Sequence, residues 1–352
     1  MTDLKSLPHT VRVSLFYLTA IACLAVSCGG LKPESVGPAQ EIVVLADPSE
    51  WAHLEPHVRD IFEKVIRTPQ VEKLFSIRHG LMADVESSKH LRRKNLMVLS
   101  TIDAQNETGD FLRSILSEEV ASAIRSGKPG VSWKENVWAE GQLLLVASAD
   151  NVENLIDSLR GESDRLYTQV DRARNRRISE LVYKYGERED VTRQLADEFG
   201  WQVRVPFGYR ILEAKPDSGF VALVKEEPSR WFFVYWEDGV HADSLTEDWV
   251  IAKRDEITRR FFDKDRIVPG EVDVLQAEFS GKLAVVLQGL WENQKKWVGG
   301  PFKSYAFQDL EQGRFYFIDV GLFSPNKQKE TYLRQLDLMA RTFKMSGDPV
   351  VN

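Results

Sequence analysis

Cysteine is nearly absent: the 352 residues hold two, Cys23 and Cys28, and none follows position 28. The long remainder therefore has no disulfide, no thiol nucleophile and no cysteine-based metal site. Histidine is scarce, with six in all. "HLEPH" places His53 and His57 four apart, but Pro56 between them calls for a first helical turn, and no glutamate precedes His57 in the hydrolase arrangement. A solvated N-terminal turn is expected there, not zinc. No GxSxG elbow, phosphate-loop lysine pattern or dinucleotide fingerprint occurs, so no cofactor is implied. Positive charge is short as well: 46 Lys and Arg against 53 Asp and Glu give −7, which argues against a nucleic-acid partner.

Long apolar runs are missing except at one place. Val11 to Val26 is broken only by Arg12, Ser14 and Thr19, follows the basic Lys5, and ends at the small Ser27. That order reads as an export signal, too short for a comfortable span. "LAVSC" resembles the lipobox of bacterial lipoproteins, which implies acylation of the Cys28 thiol and then of its freed amine. Cys23, an ordinary signal peptide and an uncleaved anchor helix stand as alternatives. "GGLKPESVGPAQ" suits a flexible tether after Cys28. Two or three acyl chains anchor firmly where one does not. The expected location is the cell envelope, lipid-anchored; Gly29 offers no acidic retention signal, which favours the outer membrane, facing the periplasm or the cell surface. Loss of residues 1–27 leaves 325 residues at −8, enough for two domains.

Beyond the tether (28–40) the pattern predicts an N-terminal half over 41–161, a linking helical region over 162–198 and a C-terminal half over 199–345. "EIVVLA" reads as a buried strand and Trp51 to Ile66 as a helix whose Leu54, Val58, Ile61, Phe62 and Val65 share a face. Further strands are expected at "VEKLFSIRHG", "LRRKNLMVLSTI" and Gln142 to Ala147. Helices are expected over Gly109 to Ser126 and after Asp150, the expected N-cap, with a loop at "VSWKEN". The linking helices, interrupted near Gly186, carry an apolar stripe of Leu166, Val170, Ala173, Ile178, Leu181, Val182 and Tyr185. "RARNRR" is expected on their solvated side, where anionic lipid head groups are an alternative contact. The second half alternates as "GFVALVKE", "RWFFVYWE", "EVDVLQAEF", "LAVVLQGLWE" and "GRFYFIDVGLF", with helices at "TEDWVIAKRDEITRRFF" and Lys327 to Phe343. The fold class is α+β, with mixed or mainly antiparallel sheets covered by helices on one face; whether the halves repeat each other is open.

The candidate chemistry gathers at "WVGGPFKSY". Gly299 and Gly300 permit conformations closed to other residues and Pro301 fixes the next turn, so Trp297, Phe302 and Tyr305 either line a ligand groove or plug a core. Trp291 and Glu292 lie just upstream, and Arg254 and Asp255 sit on a helix. Asp255 and Glu292 are the candidate catalytic carboxylates; an ion pair is the plainer expectation for Arg254.

"EIVVLADPSEW", "TPQVEKLF", "ENVWAEGQLLLVASA", "FGWQVRVPFGYRI", "GLWENQKKWVGGPFKSY" and "GLFSPNKQKETYLRQLDLMARTF", in that order, resemble a family of Bacteroidota envelope lipoproteins that share a domain of unknown function, DUF4837. The resemblance implies an N-terminal lipid and an envelope location, and no reaction. The leading expectation is noncatalytic binding of a protein, peptide or glycan partner. A hydrolase of envelope polymers and a structural component of an outer-membrane assembly are the alternatives.

Overall fold

The structure is a computed structural model that describes residues 32–82, 91–239 and 245–345. Cys23 and Cys28, with His90 and His241, lie outside the described residues. Among the described residues no helix is long and apolar enough to cross a membrane. The chain divides into two compact units, one made of residues up to 64 with 73–177, the other of 65–72 with 178 onward.

The first unit contains β1 (Glu41–Leu45), α1 (Pro48–Phe62), β2 (Ser76–Gly80), β3 (Asn95–Thr101), α2 (Glu107–Ile115), α3 (Glu118–Arg125), β4 (Gly130–Glu135), β5 (Leu143–Ala149), α4 (Val152–Gly161) and most of α5 (Ser163–Tyr183). Its sheet runs β2-β1-β3-β5-β4, with the first four strands parallel and β4 antiparallel to β5. Side chains alternate across a strand, and here both faces are apolar. Ile42, Val44, Met97, Leu99 and Leu145 pack on Leu54, Val58, Leu155 and Val170 of α1, α4 and α5. Val43, Leu45, Leu96, Val98 and Val146 pack on Leu112 and Ile124 of α2 and α3. Helices thus cover both faces, not the one expected, because parallel neighbours require crossover helices.

Local chemistry moves several boundaries. The Asp47 carboxylate accepts from the Ser49 backbone N–H at 3.0 Å and Pro48 opens α1, so the helix starts before Trp51 and Pro56 falls inside it. Ser117 caps α3 and splits the single helix expected from Gly109 to Ser126. Asn151 caps α4 by accepting from Asn154 N–H at 2.9 Å; Asp150 instead accepts from the Asn154 side chain at 2.7 Å. "VSWKE" is β4, not loop, because it has β5 to pair with.

The "RARNRR" expectation is corrected for two of its arginines. Arg174 is 1% exposed; its Nη1 donates to the Leu74 carbonyl at 2.6 Å, and its guanidinium lies 5.4 Å from the Phe75 ring centroid. Arg177 donates to the Lys94 and Gly141 carbonyls and, at 2.6 Å, to Asn95 Oδ1. Strand-end carbonyls need donors once buried, and a long guanidinium stem reaches them. Arg172 and Arg176 are exposed as expected.

The second unit contains α6 (Glu189–Phe199), β6 (Arg210–Lys215), β7 (Phe220–Lys225), β8 (Ser229–Asp238), α7 (Glu247–Phe261), β9 (Arg266–Phe279), β10 (Lys282–Asn293), β11 (Val298–Asp309), β12 (Arg314–Phe323) and α8 (Glu330–Ala340). Its main sheet has seven antiparallel strands, in the order β9-β10-β11-β12-β8-β7-β6. Val221, Leu223, Phe232, Val234 and Ile318 face Leu195 of α6 and Leu336 of α8. Phe220, Phe233, Phe302 and Phe317 face Val250 and Ile257 of α7. Lys329 supplies no side-chain cap to α8. The Glu72 carboxylate does so from far up the chain, accepting from Lys329 N–H at 2.9 Å and Glu330 N–H at 2.8 Å. One unit is built on parallel strands and the other on an antiparallel sheet, so the halves do not repeat a topology. The α+β class with mixed and antiparallel sheets holds.

Candidate functional site

"WVGGPFKSY" is not a loop. It begins at the β10–β11 turn and continues as β11, paired to β10 on one side and β12 on the other. The two glycines serve close packing. A Cβ on Gly300 would stand 2.1 Å from the Leu322 carbonyl oxygen, and one on Gly299 2.6 Å from that of Trp291. Pro301 and Phe302 are buried, and Trp291 is buried edge-on against Trp231 with ring centroids 4.9 Å apart. Tyr305 stacks on Phe279, and its hydroxyl donates to Asp337. Trp297 alone among these rings is exposed, at 90%, on a residue with φ +54° at the hairpin tip.

The three charged candidates are each committed to neighbours. Arg254, buried in the core, donates through Nε to Asp319 Oδ2 at 2.7 Å. Asp319 also accepts from Ser304 Oγ at 2.6 Å and from the Trp231 indole at 3.0 Å. The Phe302 ring centroid lies 3.5 Å from the guanidinium of Arg254. Asp255 accepts from the Ile267 backbone N–H at 2.8 Å, and Glu292 pairs with Arg266 at 2.7 Å. Neither carboxylate lines a cleft identified below. His57 lies 3.5 Å from an Arg160 nitrogen, and no cluster of three or more metal-ligating side chains occurs among the described residues.

The second unit instead holds a cleft of about 190 Å³ that the sequence did not point to. Its rim is apolar: Leu181, Val182 and Tyr185 come from the end of α5 and the turn after it, and Pro206 and Phe207 from the segment before β6. Its polar groups are Tyr209, Lys225, Arg230 and Gln335. The α5 stripe explains half of this. Ile178 is buried as its spacing predicts, but Leu181 is exposed and Tyr185 is 76% exposed, on the rim beside Phe207 at 61%. Gly186, with φ +99°, stops the helix there.

Arg230 is 6% exposed. Its Nη1 donates to Gln335 Oε1 at 2.8 Å, its guanidinium lies 5.1 Å from the Tyr332 ring centroid, and its Nε has no hydrogen-bond partner. No carboxylate lies within ion-pair distance of it among the described residues. Lys225 Nζ donates to the Phe207 carbonyl at 3.0 Å; burial first, then the charge of Arg230, hold its pKa below the ordinary lysine range. Burial pushes the Tyr209 phenol up to about 12. Two cations and two neutral polar side chains, with no anion among them, face an apolar rim. That arrangement suits an anionic group carrying an apolar attachment.

The comparisons divide at the boundary between the two halves of the chain. Residues 188–342 match the family described as Domain of unknown function (DUF4837). Residues 35–182 match a second one, Domain of unknown function (DUF8532). The resemblance drawn from the sequence over most of the chain therefore separates: its first three blocks fall in the second family's span and the later blocks in that of DUF4837. No curated protein matches. Among solved structures, the Ran-binding protein Mog1p of Saccharomyces cerevisiae aligns at 13% identity over 42% of this chain and 90% of its own, with TM-score 0.30. LpqN, involved in cell envelope biogenesis of Mycobacterium tuberculosis, aligns at 11% over 41% and 82%, with TM-score 0.28. A Bacteroides thetaiotaomicron structure aligns at 7% over 42% and 46%, with TM-score 0.26. Likenesses this slight bring neither fold nor function to this chain.

Proposed function

We propose that this protein is a lipid-anchored envelope protein that binds a polypeptide partner without catalysing a reaction, through the cleft of its second unit. The observation that carries the binding reading is Arg230, a nearly buried cation without a counter-ion among the described residues, set beneath exposed aromatic and aliphatic side chains. A buried charge is unfavourable until paired, and an exposed apolar rim gains when covered; one anionic, partly apolar partner answers both. The noncatalytic reading is supported by the commitments of Asp255 and Glu292, which hold them to a backbone N–H and an arginine.

The envelope location is carried by the leader and Cys28, with thioether attachment of the lipid. The tether expected over 28–40 is corrected in its later part: Ser35 N–H donates to Glu140 O at 2.9 Å and Val36 N–H to Arg92 O at 2.8 Å, so this stretch is held against the first unit and does not space it from the lipid. Intact-mass measurement of the membrane-extracted protein tests it: acyl mass on an N-terminal Cys28 supports the anchor, and an unmodified leader removes it. Chemical cross-linking followed by affinity purification from native membranes tests the binding. A partner recovered with the wild type and lost with Phe207→Ala is the expected result, and no partner in intact cells counts against it.

A further inference from the structure

We propose that the cleft takes the C-terminal carboxylate of a polypeptide at Arg230 and seats the apolar side chain of its last residue on the Phe207 and Tyr185 rim; this rests on the binding reading above. Arg230 supplies a guanidinium whose one hydrogen bond goes to a neutral amide, with Nε unpartnered, and guanidinium and carboxylate match in charge and in planar geometry. Gln335 accepts from Arg230 through its oxygen, which turns its amide nitrogen into a further donor. Lys225 adds a second cation beside it.

A chain end fits better than a chain passing through. At Pro206 and Phe207 the rim backbone has little to give a crossing strand: Pro206 has no N–H, the Phe207 N–H donates to Gly186 O at 3.0 Å, and the Phe207 carbonyl accepts from Lys225. A strand laid across it would leave peptide groups unpaired. A single terminal residue leaves few, and a volume of about 190 Å³ suits one residue. An apolar last side chain follows from the exposed Leu181, Tyr185 and Phe207.

Random heptapeptides with free C-termini, and the same set as C-terminal amides, are mixed with the full-length protein; what co-purifies is read by mass spectrometry. Wild type is expected to enrich free acids over amides at least about tenfold, as loss of a hydrogen bond to a charged group implies, with apolar last residues dominant. Arg230→Met is expected to bring the acid-to-amide ratio to about one, and Arg230→Lys to recover part of it. Phe207→Ala, which leaves the cations in place, is expected to lower enrichment of apolar last residues while the acid preference survives. Equal enrichment of acids and amides by wild type overturns the carboxylate assignment and leaves the binding reading standing. Enrichment of neither set overturns the proposal, whatever native cross-linking recovers.

Discussion

The guanidinium of Arg230 meets the side-chain oxygen of Gln335 at 2.8 Å and, among the described residues, no carboxylate. The other nearly buried arginine of the second unit is held differently, with Arg254 Nε 2.7 Å from Asp319 Oδ2. One cation is neutralised by its own fold and the other is left for something else to neutralise.

Replacing the first should therefore stabilise the unliganded protein. Arg230→Met exchanges an unpaired buried charge for an apolar side chain of similar length, and a gain of about 1 kcal/mol is expected, within the range seen when buried charges are replaced by well-packed apolar groups. Denaturant unfolding with and without the variant reads it. A loss of stability would mean that Arg230 is a structural residue.

The second arginine should behave in the opposite way. Asp319→Asn removes the charge facing Arg254 and weakens the bonds from Ser304 and Trp231. A loss of about 3–5 kcal/mol is expected, as for other broken buried pairs, measurable as a fall in denaturant midpoint at unchanged slope.

Gly300→Ala places a methyl 2.1 Å from the Leu322 carbonyl oxygen, inside a sheet whose neighbouring strand has no room to retreat. A destabilisation of about 3 kcal/mol is expected from overpacking. Thermal unfolding checks it. An unchanged midpoint would restore the reading of this segment as an adaptable turn.

Asp337 supplies an acid limb to stability. Burial alone would raise its pKa, but Lys303 Nζ and Arg341 Nε, each at 3.0 Å, and the Tyr305 hydroxyl outweigh it and hold it below the usual carboxylate range. A folded-state value below the unfolded one gives stability that is fully present above the unfolded pKa of about 4 and is lost as pH falls through the folded one. Asp337→Asn should cost most at neutral pH, and its difference from wild type should shrink below about pH 4. Unfolding curves across pH 2–7 read this; a pH-independent difference would contradict it.

Periodicity made the core legible. Short apolar runs marked the strands, helical spacing marked α1 and α5, and "TEDWVIAKRDEITRRFF" became α7 almost residue for residue. It could not tell parallel from antiparallel pairing in the first unit, because an apolar run such as "LLLVASA" states that both faces are buried and not which neighbour lies beside it. The candidate site was misread for a related reason. Two glycines and a proline suit a turn, and they suit equally a strand where Leu322 and Trp291 approach too closely for a Cβ. The cleft stayed hidden because its parts are far apart in the chain: Tyr185, Phe207, Arg230 and Gln335 come from four segments. One sign was present, the continuation of the α5 apolar stripe to Tyr185, right up to the glycine that ends the helix.

The most direct test of the account is site-specific photo-cross-linking from the rim of the cleft, with p-benzoylphenylalanine in place of Phe207 in intact native cells. A discrete polypeptide adduct is expected, and it should disappear when Arg230→Met is added. Adducts of the same size and yield with and without Arg230, or none in either case, would contradict it.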